Sequence, residues 1–394
     1  MNDTPKGERV HIGLFGRRNT GKSSLLNAIT GQDLAVVSPV KGTTTDPVSK
    51  AMELLPIGPV VMIDTPGIDD AGALGGLRVQ KTREALRRTD VAILVAEAGR
   101  ALEDEDRALL ALFREMQVPF LVVRNKMDLT EIRLADGFHV SAATGENIDR
   151  LKEKIAEIGA GEETRHRLVG DLVAPGDMAV LVVPLDKAAP RGRLILPQQQ
   201  VIRDLLEAGA VAVATRDTGY ADALRGMAKP PAIVITDSQV FAQVSAATPE
   251  DVPLTSFSIL MARYKGVLEG AAAGAKALDA LADGDRVLIA EGCAHHRQCD
   301  DIGTVKLPRW IRAHAGAAPD FAFCSGGSFP PDLGRYAVVV HCGGCMLNGR
   351  EMRFREREAR QAGVPMTNYG VAISHMQGIL ERVSGWLPRP SVGS

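Results

Sequence analysis

Apolar positions along this chain switch between two periods. Short β-branched runs, HIGLF from His11, VVMID ending at Asp64, VAILVAE from Val91 and PFLVVRN ending at Asn125, alternate with stretches whose apolar residues fall on one helical face. Those helical stretches run over Lys22–Ile29, Gly76–Arg88 and Glu105–Met116. Alternation of this kind builds a mostly parallel sheet with helices on both faces, so residues 1–165 are expected to form a doubly wound α/β domain. The polar segment from Gly159 to Asp171 then reads as a linker.

A second alternation begins at Met178. AVLVVPL, a helix over Pro197–Ala208, AVAVAT, a helix over Tyr220–Met227 and AIVIT make a smaller α/β block, 170–260. It contains no nucleophile with a base, no metal-ligand spacing and no phosphate loop. An open sheet leaves edges and faces to be covered, so this block is expected to form a homodimer interface. The third block, 261–394, opens with an Ala-rich helix expected from Met261 to Leu281. Strands DRVLIAEG, DFAFCSG and YAVVVH follow, alternating with helices near Leu307–His314 and Glu351–Gln361, and a helix over Ile373–Trp386 closes the block. The fold class is α/β throughout, in three domains.

Composition narrows the partners. With 394 residues, 45% of them hydrophobic and 24% charged, and a formal charge of -2, the chain is globular and lacks a broad basic surface, which disfavours nucleic acid. The start has no basic-then-apolar signal region, and the longest apolar runs, such as Met178–Leu185, are too short to span a bilayer. A cytoplasmic protein with no membrane contact is expected. The five cysteines, Cys293, Cys299, Cys324, Cys342 and Cys345, all lie in the third block, where a reducing compartment favours metal ligation over disulfides.

The sharpest chemistry sits at Gly16–Ser23, GRRNTGKS, between a strand and a helix. This is a phosphate-binding loop: backbone N–H groups curl around the phosphates, Lys22 reaches the β- and γ-phosphates, and Ser23 binds Mg²⁺. Thr20, Gly21 and Ser24 belong to the same nucleotide contacts. After VVMI comes Asp64-Thr65-Pro66-Gly67, where the Asp holds Mg²⁺ through water and the Gly N–H senses the γ-phosphate. After LVVR comes Asn125-Lys126-Met127-Asp128. A carboxylate at Asp128 accepts the N1–H and N2–H of guanine, which adenine does not offer, so the site selects GTP and GDP. Ser141 and Ala142, after GFHV, suit the loop that reads the guanine O6.

Order and spacing resemble the translation-factor branch of GTPases, in particular the group containing the tRNA-modification GTPase TrmE. That resemblance makes Gly42–Asp46 the first switch, with Thr44 as Mg²⁺ ligand, although Thr45 stands where the group usually has Arg. Asn19 resembles the Asn that holds K⁺ against the phosphates in potassium-activated members; otherwise it only shapes the turn. Ile68 occupies the place where many small GTPases carry the Gln that orients water, so slow intrinsic hydrolysis is expected.

Cys293-Ala294-His295 and His341-Cys342-Gly343-Gly344-Cys345 each follow an apolar strand, so both are expected at carboxyl ends, where open α/β sheets bind ligands. Spacing alone admits a Cys₃His zinc site, an iron–sulfur cluster or plain buried cysteines. A GTPase of this group followed by a plain α/β block and then C-x-H…H-C-x-x-C resembles the HydF family of [FeFe]-hydrogenase maturation GTPases over essentially the whole chain. The resemblance implies a [4Fe–4S] cluster on Cys293, Cys342 and Cys345, with one exchangeable position that His295 or His341 fills or shapes. Cys299, Cys324 and His296 match no ligand position and read as ordinary residues. The resemblance further implies a scaffold that receives a diiron subcluster precursor from the radical-SAM maturases HydE and HydG and passes it to the hydrogenase. Competing readings are a tRNA-modification GTPase and a zinc-stabilised regulatory GTPase.

Overall fold

The apolar runs of the first block become the strands of one six-stranded sheet, and the two later blocks each supply a four-stranded sheet. The computed structural model describes residues 4, 6–31, 48–65, 74–163, 167–184, 194–292, 301–326 and 328–388. The chain divides into two units, Met1–Arg165 and His166–Ser394.

In the first unit β1 (Val10–Phe15), α1 (Lys22–Thr30), β2 (Val48–Leu54), β3 (Gly58–Asp64), α2 (Leu74–Arg87), β4 (Val91–Glu97), α3 (Asp104–Glu115), β5 (Phe120–Asn125), β6 (Phe138–His139) and α4 (Ile148–Glu163) follow in order. The sheet runs β2-β3-β1-β4-β5-β6, with β2 antiparallel to β3 and the other pairs parallel. Buried Ile12, Leu14, Ile93 and Val95 of the central strands pack with Leu25 and Ile29 of α1 and Leu151 and Ile155 of α4. Burial on this scale drives the layer together at ~25 cal/mol per Å² of apolar surface. The edge strand β2 is absent from the hydrophobic pattern because it is half solvated: Met52 and Leu54 are buried while Ser49, Lys50 and Glu53 are exposed.

The second unit contains β7 (Met178–Val182), α5 (Leu196–Glu207), β8 (Val211–Thr215), α6 (Tyr220–Arg225), β9 (Ile233–Thr236), α7 (Phe241–Ala247), β10 (Leu254–Ser256), α8 (Phe257–Tyr264) and α9 (Leu268–Ala275). It continues with β11 (Arg286–Glu291), α10 (Leu307–Ala315), β12 (Asp320–Ser325), β13 (Val338–His341), α11 (Gly349–Gln361), β14 (Met366–Asn368), α12 (Tyr369–Met376) and α13 (Leu380–Ser384). Its sheets run β10-β9-β7-β8 and β12-β11-β13-β14, parallel throughout.

Two helices expected as continuous are broken. The Ala-rich stretch is α8, then α9, then a short 3₁₀ turn at Lys276–Ala280, because α8 ends at Lys265-Gly266 with Gly266 at φ 74°. The C-terminal stretch is likewise split between α12 and α13 at Gly378, φ 71°. The blocks 170–260 and 261–394 also share one core. Val180, Ile235 and Leu254 of the first sheet join Leu260, Ile289, Val340 and Val371 in a single cluster of buried side chains. Trp386 Nε1 donates to the carbonyl of Leu254 (3.2 Å) and Arg382 to that of Thr248 (2.9 Å), so the end of the described chain packs on the middle block.

Candidate functional site

The turn between β1 and α1 is the phosphate loop, and its shape follows from three residues with positive φ: Gly16 (139°), Asn19 (62°) and Gly21 (89°). A Cβ on Gly21 would run into Asn125 Nδ2, so only glycine lets the loop approach the base-reading strand. Lys22, almost fully buried, donates from Nζ to the carbonyls of Gly16 (2.9 Å) and Arg17 (2.8 Å), which holds its ammonium inside the loop. Thr20 Oγ1 closes the turn on the Arg17 carbonyl (3.0 Å). Arg17 itself is tied to the start of α3, through Glu103 (2.6 Å) and Asp106 (3.3 Å).

Ser23 Oγ donates to Asp64 Oδ2 (3.1 Å), bringing together the two expected Mg²⁺ residues from α1 and β3. Burial pushes the Asp64 carboxyl up, opposed by the Ser23 hydrogen bond and the charge of Lys22. Its second oxygen, Oδ1, is buried with no hydrogen-bond partner. A buried carboxylate oxygen left over beside a hydroxyl suits a hard cation with water in its shell, so these residues fit Mg²⁺. Thr44, Gly67 and Ile68 lie outside the described residues. Asn19 is exposed at the tip of the loop.

Asn125 stitches three loops together. Its Nδ2 donates to the carbonyl of Thr20 (3.1 Å) in the phosphate loop, and its Oδ1 accepts from the N–H of Ala142 (3.0 Å) in the O6-reading loop. Asp128 accepts a hydrogen bond from Ser141 Oγ (2.6 Å), which also accepts from the Thr144 N–H (3.1 Å). The Asp128 side chain is thereby oriented yet exposed, as a carboxylate that meets a base must be. Lys126, at φ 65°, pairs with Glu97, and that hydrogen bond holds the Glu97 carboxyl below its ordinary range. Beneath this loop the fully buried Arg124 takes both oxygens of Asp136 (2.7 and 2.6 Å) and the Arg100 carbonyl (2.6 Å).

In the second unit the cysteine region lies at the carboxyl ends of β11, β12 and β13, as the strand pattern implies. Cys342 Sγ accepts the backbone N–H of Gly292 (3.0 Å) and of Gly344 (3.4 Å). Cys293 and His295 lie outside the described residues, as do His296 and Cys299, but Gly292 directly precedes Cys293. The first hydrogen bond ties the end of β11 to the start of the C-x-x-C loop. Burial raises the Cys342 thiol, and the two N–H donors work against that rise. Donors aimed at sulfur stabilise a thiolate and are what a cluster ligand needs, so the residues fit an iron–sulfur centre. Gly344, at φ 64°, makes the turn of the C-x-x-C loop, and a Cβ there would run into Met352 Sδ. Cys345 is half-buried against the apolar core, and Cys324, Cys342 and Cys345 are not in disulfides.

His341 is fully buried. Its Nδ1 donates to the Cys342 carbonyl (2.8 Å) and its Nε2 accepts from Arg355 Nη1 (3.0 Å). Burial first, then the Arg355 charge, depresses its pKa to about 3, so it is neutral. With both ring nitrogens engaged, His341 orients the backbone at Cys342 in this arrangement and offers no nitrogen to a metal. Cys324 stands in the same row of the sheet, paired through Ala290 with His341. Burial raises its thiol, and the Cys342 and Glu291 charges add to the rise. It belongs to the wall of the cysteine region, which its spacing in the sequence does not reveal.

Four further residues of this region, Glu291, Glu351, Arg355 and Tyr369, escape sequence reasoning. Arg355 of α11 is fully buried and also meets Glu351 (2.9 Å) and the Gly326 carbonyl (2.6 Å). Tyr369 donates to the buried Glu291 (3.4 Å), and burial, with the charges of Cys342, Glu291 and Asp301, pushes its phenol well above the usual value. Only the i, i+4 spacing of Glu351 and Arg355 was a signal, and surface pairs share it.

Three family models match this chain. Residues 11–126 match the family model described as 50S ribosome-binding GTPase, residues 168–266 the hydrogen maturase F dimerization domain, and residues 270–384 the hydrogen maturase F tetramerization domain. GTPase Der of Wolinella succinogenes is 36% identical over 168 residues, covering 38% of this chain and 36% of that protein. The tRNA modification GTPase MnmE of Koribacter versatilis is 33% identical over 227 residues, covering 51% of this chain and 47% of that one. The chain thus spans under half the length of these curated relatives. The solved structure of Aquifex aeolicus Era bound to GDP and AlF4- is similar at 20% identity and a TM-score of 0.35, over 52% of this chain and 92% of that chain. Fold and first site define a P-loop GTPase domain, here joined to two association domains. The matches to both of those domains place the chain in the hydrogen maturase F family, to which it belongs. Among the described residues, no helix is long and apolar enough to cross a membrane.

Proposed function

We propose that this chain is a GTP-hydrolysing scaffold for assembly of the [FeFe]-hydrogenase active site. In this reading Cys293, Cys342 and Cys345 hold a [4Fe–4S] cluster, and the cargo is a diiron subcluster precursor. HydE and HydG deliver the cargo and the hydrogenase receives it. The observation that carries the reading is the pair of backbone N–H donors that Gly292 and Gly344 aim at Cys342 Sγ, in a chain of the hydrogen maturase F family. The cluster supplies a metal site with one exchangeable position. The protein supplies thiolates, backbone donors to sulfur, and a dry wall made by His341 and Arg355.

GTP hydrolysis belongs to the first unit. Lys22 neutralises the phosphates, Ser23, Thr44 and Asp64 hold Mg²⁺, Gly67 senses the γ-phosphate and Asp128 reads guanine. Asn19 holds K⁺ against the phosphates, and Ile68 makes the unassisted rate slow. The protein works as a homodimer or a larger assembly of the same chain, through its dimerization and tetramerization domains. The likeness to tRNA modification GTPase MnmE supports a shared nucleotide domain; the two maturase domains favour the maturation reading over tRNA modification.

Anaerobic reconstitution with iron and sulfide tests the proposal. The expected result is a reducible cluster with an EPR signal that Cys342→Ser removes or alters. A protein that stays colourless and EPR-silent overturns it.

A further inference from the structure

A second group of metal-ligating side chains lies within residues 270–384, built without any cysteine. Asp279 of the 3₁₀ turn, His314 in the last turn of α10 and His375 in the last turn of α12 converge. His314 Nε2 lies 2.7 Å from Asp279 Oδ1 and His375 Nε2 lies 2.9 Å from the same oxygen. The three ligand atoms all lie within 4.8 Å of one another, and the two rings meet edge to face at 5.8 Å.

We infer that Asp279, His314 and His375 form a Zn²⁺ site. Two imidazoles and a carboxylate are the donor set of a borderline-soft divalent ion; Mg²⁺ and Ca²⁺ prefer oxygen. Around tetrahedral zinc, ligand atoms stand about 3.3 Å apart, given metal–ligand bonds of ~2.0–2.1 Å. The observed cluster reaches that spacing by small side-chain movements. Both Nε2 atoms already face the carboxylate; on binding, the proton each donates to Asp279 leaves Nε2, the ring proton stands on Nδ1 and the freed Nε2 lone pair turns to the metal. His314 and His375 each sit in the last turn of a helix, where the negative end of the helix dipole favours a cation. Arg312, in the same turn of α10, is directed elsewhere, donating to the Pro319 carbonyl (3.2 Å) and lying over the Phe321 ring. Asp279 and His314 are exposed, so the ion enters from solvent and water completes its shell. Bound zinc pins α10 and α12 to the turn that leads into β11.

The test is calorimetric titration of Zn²⁺ into the metal-stripped full chain carrying Cys293→Ser, Cys299→Ser, Cys324→Ser, Cys342→Ser and Cys345→Ser, which removes competing thiolates. One binding event is expected, weakened at least tenfold by adding His314→Gln, His375→Gln or Asp279→Asn. An absent event, or one unchanged in all three variants, overturns the assignment and leaves one aspartate hydrogen-bonded to two histidines. Should the cysteine variants fail to fold, Co²⁺ is added to the chain with its cysteines intact. An absorption component from nitrogen and oxygen ligation that His375→Gln removes supports the site; a spectrum showing only thiolate-to-cobalt charge transfer overturns it.

Discussion

Replacing Arg355 with Met tests whether the wall of the cysteine region is held by one buried charge. The guanidinium is fully buried and contacts Glu351, the His341 ring, the Gly326 carbonyl and the face of Phe329 at 5.0 Å. Methionine keeps much of the apolar stem. What it leaves is Glu351, whose side chain is 5% exposed and whose Oε2 is buried without a partner. Removing the guanidinium leaves that carboxylate buried without its counter-charge, which is strongly destabilising. The lost donors to the Gly326 carbonyl and His341 act in the same direction. A destabilisation of about 3–5 kcal/mol is expected, in the range for breaking a buried pair. Both tryptophans, Trp310 and Trp386, lie in the second unit, so their fluorescence during urea unfolding of the full chain reports on that unit alone. The double variant Arg355→Met with Glu351→Leu should recover most of the loss, since no bare charge remains. A single variant within about 1 kcal/mol of the parent, or a double variant no better than the single, would refute the reasoning.

The nucleotide site gives sharper binding changes. Asp128→Asn should weaken GDP binding by roughly 100-fold, through loss of charge-assisted bonds to N1–H and N2–H, and raise affinity for xanthosine diphosphate, whose 2-oxo group accepts from the amide; equal GDP affinity would contradict the role of Asp128. Asn125→Ala removes the bonds to Thr20 and Ala142 and leaves both backbone groups without this partner. It should cost about 2–4 kcal/mol of nucleotide affinity, measured with a fluorescent GDP analogue. Chelating Mg²⁺ should weaken GTP binding in the parent and much less in Ser23→Ala, since Ser23 and Asp64 act on the ion together. Turnover compared in KCl and NaCl checks Asn19: a several-fold preference for K⁺ is expected, and Asn19→Ala should abolish it.

How much of this was legible depends on range. Strands such as VAILVAE and VLIA are buried on both faces and announce themselves as apolar runs, and the nucleotide residues sit at fixed offsets from them. The half-solvated β2 and the three-residue β10 and β14 carry too short or too mixed a pattern. The breaks in the helices are hidden for a related reason: Gly266 and Gly378 end helices through left-handed backbone, whereas a lone glycine in an Ala-rich run weakens helical preference only slightly. The roles of His341 and Cys324 rest on which strand neighbours which. The order β12-β11-β13 sets them in one row, and nothing in the spacing of the residues encodes that order.

The single core that spans both sheets of the second unit also limits how this protein can be taken apart or rebuilt. A cut near residue 261 falls inside α8 and strips Leu260 and Met261 from partners in the following block, exposing apolar surface on both fragments. Neither fragment is then a fair sample of its own association behaviour, and grafting either alone onto another GTPase should give insoluble material. The nucleotide domain, by contrast, is a unit of its own that ends near residue 165, so that is where a cut should leave each part with its own core. The two parts beyond it have to be kept together.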